Sequence, residues 1–137
     1  GTDFALENQG GVRSPIVRGP ITRADLIALD PFGNTVVLFK ATGRQVRSLL
    51  ERHAPAVSGI RYRLVGRVLT EVTINGEPLD EDRVYSGVTN SYLAGFALKG
   101  LKFEDTGRKR LDTVMAYIRK HGTIQPSYDG RRLVVRE

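Results

Sequence analysis

The strongest constraint on the fold is a pair of adjacent glycines at the end of an alternating run. Asp3-Phe4-Ala5-Leu6-Glu7 places polar and apolar residues in turn, and residues 3–8 read as a half-buried strand. Asn8-Gln9-Gly10-Gly11-Val12-Arg13 follows. Glycine admits positive φ and lets another group approach the backbone closely, so a strand ending in Gly10-Gly11 reads as turning there. Arg13 adds a planar, permanently charged donor fork that suits phosphate or carboxylate. A turn rich in N–H groups beside an arginine is a candidate anion site. Downstream, Pro31-Phe32-Gly33-Asn34 puts an aromatic ring on a loop bounded by proline and glycine.

Between these stretches, Thr22-Arg23-Ala24-Asp25 has the form of a capping box, with Asp in place of Glu, ahead of Leu26-Ile27-Ala28-Leu29. That predicts a short helix stopped by Asp30-Pro31. Thr35 to Ala41 is β-branched and apolar, a buried strand. Thr42 or Gly43 caps a helix whose Val46, Leu49 and Leu50 share one face. Tyr62 and Leu64 alternate with arginines, and Val68, Thr70, Val72 and Ile74 alternate with Arg67, Glu71 and Thr73. Both read as half-buried strands, with a tight turn at Asn75-Gly76. Arg83 to Tyr92 reads as a strand broken by Gly87. Arg110 to His121 carries Leu111, Val114, Met115 and Ile118 at helical spacing and stops at Gly122. Asp129-Gly130 turns the chain into a last strand, Leu133 to Val135. Without a regular alternation of strand and helix, the fold class is α+β: one domain over residues 1–137, a mixed sheet and about three helices.

Composition narrows function. The 40% apolar content argues for a folded globule, and no apolar run reaches membrane-spanning length. The absence of cysteine excludes disulfides, thiolate metal sites and a cysteine nucleophile. The net charge of +6 invites a nucleic-acid reading. Against that, the basic residues are scattered and interleaved with acidic ones, and no nucleic-acid-binding motif is present, so no nucleic-acid partner is expected. His53 and His121 are the two histidines, both near the ends of expected helices, where a histidine meets the helix dipole favourably. A two-metal centre needs several clustered ligands, and no such cluster is visible in the sequence. No catalytic or metal-ligating residue is therefore assigned.

The ordered series Asn8 to Arg13, Gly19-Pro20-Ile21-Thr22, Pro31-Phe32-Gly33-Asn34, Thr42-Gly43, Asn75-Gly76-Glu77-Pro78-Leu79 and Tyr85 through Tyr92 resembles the C-terminal domain of the 5'-nucleotidase family. That family includes 5'-nucleotidases, UDP-sugar hydrolases and cyclic-nucleotide phosphodiesterases. The resemblance implies a substrate-binding domain that holds a nucleoside or nucleotide between two aromatic rings. It assigns these rings to Phe32 and Tyr92, phosphate to Arg13, and base or neighbouring contacts to Asn8 and the Gly10-Gly11 backbone. It implies that hydrolysis belongs to a separate N-terminal metallophosphoesterase domain holding two divalent metals. That domain, and the first helix of the family domain, are expected to lie outside this chain. The chain alone is expected to be inactive, and the parent to be periplasmic, secreted or at the cell surface.

One stretch departs from the resemblance. The family's Gly-Gly-Asp-Gly loop supplies an aspartate for the ribose, whereas the matching stretch here is Gly95-Phe96-Ala97-Leu98-Lys99-Gly100. It carries no carboxylate, so the ribose contact is unassigned. Two other readings stay open: a family-derived binding domain without a catalytic role, and a domain of a hydrolase for another anionic ester.

Overall fold

The computed structural model describes residues 1–136. In chain order the elements are β1 (Phe4–Glu7), α1 (Arg23–Leu29), β2 (Thr35–Thr42), α2 (Gly43–His53), β3 (Ala56–Ser58), β4 (Ile60–Val65), β5 (Val68–Ile74), β6 (Glu77–Pro78), β7 (Val84–Asn90), α3 (Ser91–Ala97), β8 (Phe103–Lys109), α4 (Arg110–His121) and β9 (Arg132–Val135). The strands form two mixed sheets, ordered β3-β1-β7-β2-β8 and β6-β5-β4-β9. In the first, β1 and β7 run parallel while the other neighbours are antiparallel. In the second, β9 joins β4 in parallel. The α+β reading and the single core stand.

Local signals explain most of the elements. Thr22 Oγ1 accepts from the Asp25 N–H at 3.2 Å, and Asp25 Oδ2 accepts from the Thr22 N–H at 2.8 Å, so the expected box caps α1. Thr42 and Gln45 form a second box at the start of α2. The buried stripe Val46, Leu49 and Leu50 lies against β2 of one sheet and β5 of the other, so α2 joins the two sheets into one core with Phe4, Phe39, Ile60, Tyr62 and Tyr85.

Four elements have no counterpart in the sequence reading: the short strands β3 and β6, helix α3 and strand β8. The strand expected to reach Tyr92 ends at Asn90, whose side-chain Oδ1 accepts from the Leu93 N–H at 2.9 Å and starts α3. The stretch matched to a glycine-rich loop thus begins inside a helix. Leu93, Ala94 and Leu98 turn inward there, and Leu98 is fully buried in the core. Strand β8 is the longest of the added strands. Its sequence Phe-Glu-Asp-Thr-Gly-Arg-Lys is almost wholly exposed, a charged edge strand paired to β2.

Candidate functional site

Strand β1 delivers Glu7 and Asn8 to one end of the first sheet. The turn after it closes with the Gly11 N–H donating to the Asn8 carbonyl at 3.3 Å, and Gly10 sits at φ +80°. Gly11 is buried, and a Cβ there would lie 3.2 Å from the Asn8 carbonyl oxygen and 3.4 Å from Arg110 Nη1. The glycine pair is thus set by the turn and by close packing. Past the turn, the Arg13 N–H donates to the Leu29 carbonyl at 2.9 Å, which fixes the strand exit to the end of α1.

The Arg13 side chain is exposed, and its guanidinium lies over the Phe32 ring, 5.2 Å from the centroid. That is a cation–π arrangement. Phe32 is 48% exposed and Tyr92 61% exposed, so neither ring belongs to the core. The segments that carry them are bonded together. The Ser91 hydroxyl donates to Asn34 Oδ1 at 3.2 Å and accepts from the Thr35 N–H at 3.0 Å. From the other side, Lys109 Nζ donates to the Gly33 carbonyl at 3.1 Å and the Arg110 N–H to the Asn34 carbonyl at 2.8 Å.

Beneath these residues lies a polar network that sequence reasoning missed. Arg110, the first residue of α4, points inward. Its Nε donates to Asp30 Oδ2 at 2.8 Å, its Nη2 lies 2.7 Å from Asp30 Oδ1 and donates to the Gly11 carbonyl at 3.1 Å, and its Nη1 pairs with Glu7. Asn90, with no exposed surface, donates to Glu7 Oε2 at 2.9 Å and Asn8 Oδ1 at 2.8 Å. Hydrogen bonding to Asp30 and attraction to both carboxylates hold the Arg110 guanidinium charged, its pKa above the ordinary value. Burial pushes the Glu7 carboxyl upward, against the opposing pull of Arg110 and Asn90. No local spacing announces this network: Arg110 sits in a basic run, and Asp30 reads only as a helix stop.

The geometry therefore gathers Asn8, Gly10, Gly11, Arg13 and Phe32 around one turn, and ties Tyr92 in through Ser91 and Asn90. Asn8 is engaged within the protein, its Oδ1 by Asn90 and its Nδ2 by the Gln9 carbonyl at 3.2 Å. Tyr92 packs edge-on against Phe96, with centroids 5.3 Å apart. Two grooves, one lined by Ile16, Pro20, Ile118 and Pro126 and the other by Ser48, Arg52, His53 and Phe96, include neither Phe32 nor Tyr92 in their walls. Leu98, in the stretch matched to the family's ribose-binding loop, contributes only to the core.

The histidines have local roles. The His53 ring meets Phe96 edge-on at 5.3 Å, and burial, with Arg52 beside it, lowers its pKa below the ordinary imidazole value. His121 stacks on Tyr117 at 4.0 Å. Among the described residues no three His, Cys, Asp or Glu side chains form a group that could hold a metal ion. Among the described residues no helix is long and apolar enough to cross a membrane.

Comparison with known proteins bears on this arrangement. A family model described as 5'-nucleotidase, C-terminal domain, matches residues 1–100. The NAD 5'-nucleotidase of Haemophilus influenzae is 32% identical over 82% of this chain, which spans 23% of its length. Protein UshA of Yersinia enterocolitica is 30% identical over 93% of this chain, which spans 26% of its length. Among solved structures, the 5'-nucleotidase precursor from Thermus thermophilus superposes with a TM-score of 0.91 over 99% of this chain at 29% identity; the chain covers 32% of it. The family match begins ahead of the strand that leads into the glycine pair and runs through α3. The chain belongs to the 5'-nucleotidase C-terminal domain family.

Proposed function

We propose that this chain is the substrate-binding domain of a 5'-nucleotidase-like phosphohydrolase. It holds the base of a nucleoside or nucleotide with Phe32 and Tyr92, and a metallophosphoesterase domain elsewhere in the parent protein hydrolyses the phosphate ester. The observation that carries the reading is the pair of exposed rings on hydrogen-bonded segments, with Arg13 resting on one of them. An exposed phenylalanine on a loop braced by Lys109 and Arg110 has little packing role. A base stacked on it gains about 1–3 kcal/mol. Stacking reads no base edge, so the site should accept several bases. Arg13 lies over one face of Phe32, and in this reading its guanidinium is the group that meets the phosphate, which its donor fork suits. Two divalent metals in the parent's other domain, and a periplasmic, secreted or cell-surface location, follow from the same reading.

A second reading has its own observation. Leu98 is buried in the core in the stretch matched to the family's ribose-binding loop, so no carboxylate there meets a ribose hydroxyl. That favours a parent that acts on another anionic ester, or a binding domain with no catalytic partner.

Ligand titrations followed by NMR test the site. Adenosine and AMP should both shift Phe32 and Tyr92. Phe32→Ala and Tyr92→Ala should each abolish saturable adenosine binding, while Arg13→Ala should weaken AMP about threefold and spare adenosine, as expected for an exposed charge pair of roughly 0.7 kcal/mol. Adenosine binding indifferent to Phe32→Ala would place the ligand elsewhere and remove the reading.

A further inference from the structure

A groove of about 420 Å³ opens between the C-terminal half of α2 and the chain leaving α3. That volume falls within the range of small-molecule sites, roughly 300–1,000 Å³. Arg52, His53 and Lys99 line it together with Gln45, Ser48 and the Phe96 ring. Among the described residues no acidic side chain is part of the lining.

The charges are also unspent. Among the described residues, Arg52 and Lys99 have no carboxylate within 4.0 Å, whereas Arg47 on the same helix pairs with Glu81 at 3.0 Å and Arg44 lies 3.8 Å from it. Cations near a helix C-terminus ordinarily serve its free carbonyls. Here the Ala54 carbonyl just past α2 is already met by Gln9 Nε2 at 3.3 Å and Arg132 Nε at 3.0 Å. Phe96 is 43% exposed and stands between Tyr92 and His53, edge-on to both. An exposed ring beside unpaired cations is what an anion with an aromatic body requires. Desolvation and Arg52 depress the His53 pKa, and a bound anion would reverse that.

We propose that this groove is a second binding site, for a phosphate monoester of an aromatic or heteroaromatic alcohol. Arg52 and Lys99 hold the phosphate, His53 donates to it when protonated, and Phe96 carries the ring. The site is separate from the Arg13 and Phe32 turn and does not depend on the function proposed for that turn. Phe96 packs edge-on against Tyr92, so the two sites are linked through that ring contact.

Phenyl phosphate and inorganic phosphate, titrated at constant ionic strength into the full chain, test the site by NMR. Both should shift the His53 and Phe96 ring signals saturably, with phenyl phosphate at least threefold tighter. Arg52→Gln with Lys99→Gln should weaken both at least fivefold, and Phe96→Leu should erase the advantage of the phenyl group. Arg13→Ala and Phe32→Ala should change neither. Sodium sulfate that reproduces the shifts at the same concentrations, or shifts that map instead to Arg13 and Phe32, would overturn the proposal. Those comparisons use the unaltered chain and decide the matter even if a variant fails to fold. Undiminished binding by a folded Arg52→Gln, Lys99→Gln chain would overturn it equally.

Discussion

At the scale of single residues, Arg110 does most to define the site end of the molecule. Its side chain is 11% exposed and that of Asp30 2% exposed, so both charges have left water and depend on each other. Breaking a buried pair by removing one partner leaves the other uncompensated, at a cost of about 3–5 kcal/mol. Arg110→Met should therefore lower the unfolding free energy by about that much in urea titrations, and its NMR spectrum should show the Gly10-Gly11 turn perturbed. The loss should depend on pH. Glu7 has a folded pKa raised by burial, so its contribution is fully present below its ordinary value of 4.5 and is lost as pH rises through the folded value. Without Arg110 the ionised Glu7 has lost its counter-charge. The destabilisation should then be larger at neutral pH than near pH 4, and an equal loss at both would show that Glu7 is not coupled to Arg110. A second titration belongs to Asp129. Arg131, donating from Nε at 2.8 Å and Nη2 at 3.0 Å, holds its carboxyl at about 2 against an ordinary 3.8. A depressed carboxylate stabilises the fold above its unfolded pKa and loses that contribution as pH falls toward 2. Carboxyl carbon NMR should place the midpoint there, and Arg131→Gln should return it toward 3.8.

At the scale of elements, the N-terminus of α2 shows how close packing dictates a residue. Gly43 and Arg44 donate backbone bonds to the Arg83 and Glu81 carbonyls at 2.9 and 3.1 Å, so the loop before β7 lies on the helix end. A Cβ on Gly43 would sit 2.0 Å from the Asp80 carbonyl oxygen, which is backbone and cannot swing away. Gly43→Ala should destabilise by about 2–3 kcal/mol through forced displacement of that loop. Thr42→Ala removes only the cap and should lose about 1 kcal/mol. Thermal melts of the two variants should rank in that order, and the reverse ranking would mean the loop yields freely. Legibility divides along the same line. Capping boxes and apolar stripes are local, so α1, α2 and α4 were visible in the chain. Strand β8 was hidden because an edge strand needs no apolar face. Helix α3 was hidden because its cap, Asn90, also ends a strand and its apolar residues span under two turns. The candidate site divides likewise. Asn8, Gly10, Gly11, Arg13, Phe32 and Tyr92 stand in recognisable motifs, whereas Arg110 reaches Glu7 and Gly11 from the far end of the chain, and nothing in its neighbourhood marks it.

At the scale of the whole molecule, the chain spans 23% of one relative and 32% of a solved one, and the function proposed above assigns hydrolysis to another domain of the parent. Two expectations follow for the chain by itself. Purified and supplied with divalent metals, it should hydrolyse phosphate esters at background rate. Turnover that persists through purification and is lost on changing His53 or His121 would overturn that. Its affinity should also be low, for energetic reasons. Two rings, each stacking on a base for about 1–3 kcal/mol, give about 2–6 kcal/mol of gross attraction. Lost translational and rotational freedom offsets several kcal/mol of this. Leu98, buried in the core, offers the ribose nothing. For the phosphate, Arg13 is exposed and already rests on Phe32, so it adds about 1 kcal/mol or less. At most a few kcal/mol remain, so the dissociation constant for adenosine should be millimolar or weaker, the millimolar level corresponding to roughly −4 kcal/mol, with AMP only slightly tighter. Titration calorimetry at high protein concentration measures both. Micromolar adenosine binding by the isolated chain would mean that contacts beyond Phe32 and Tyr92 hold the nucleoside, and the two-ring account of the site would no longer suffice.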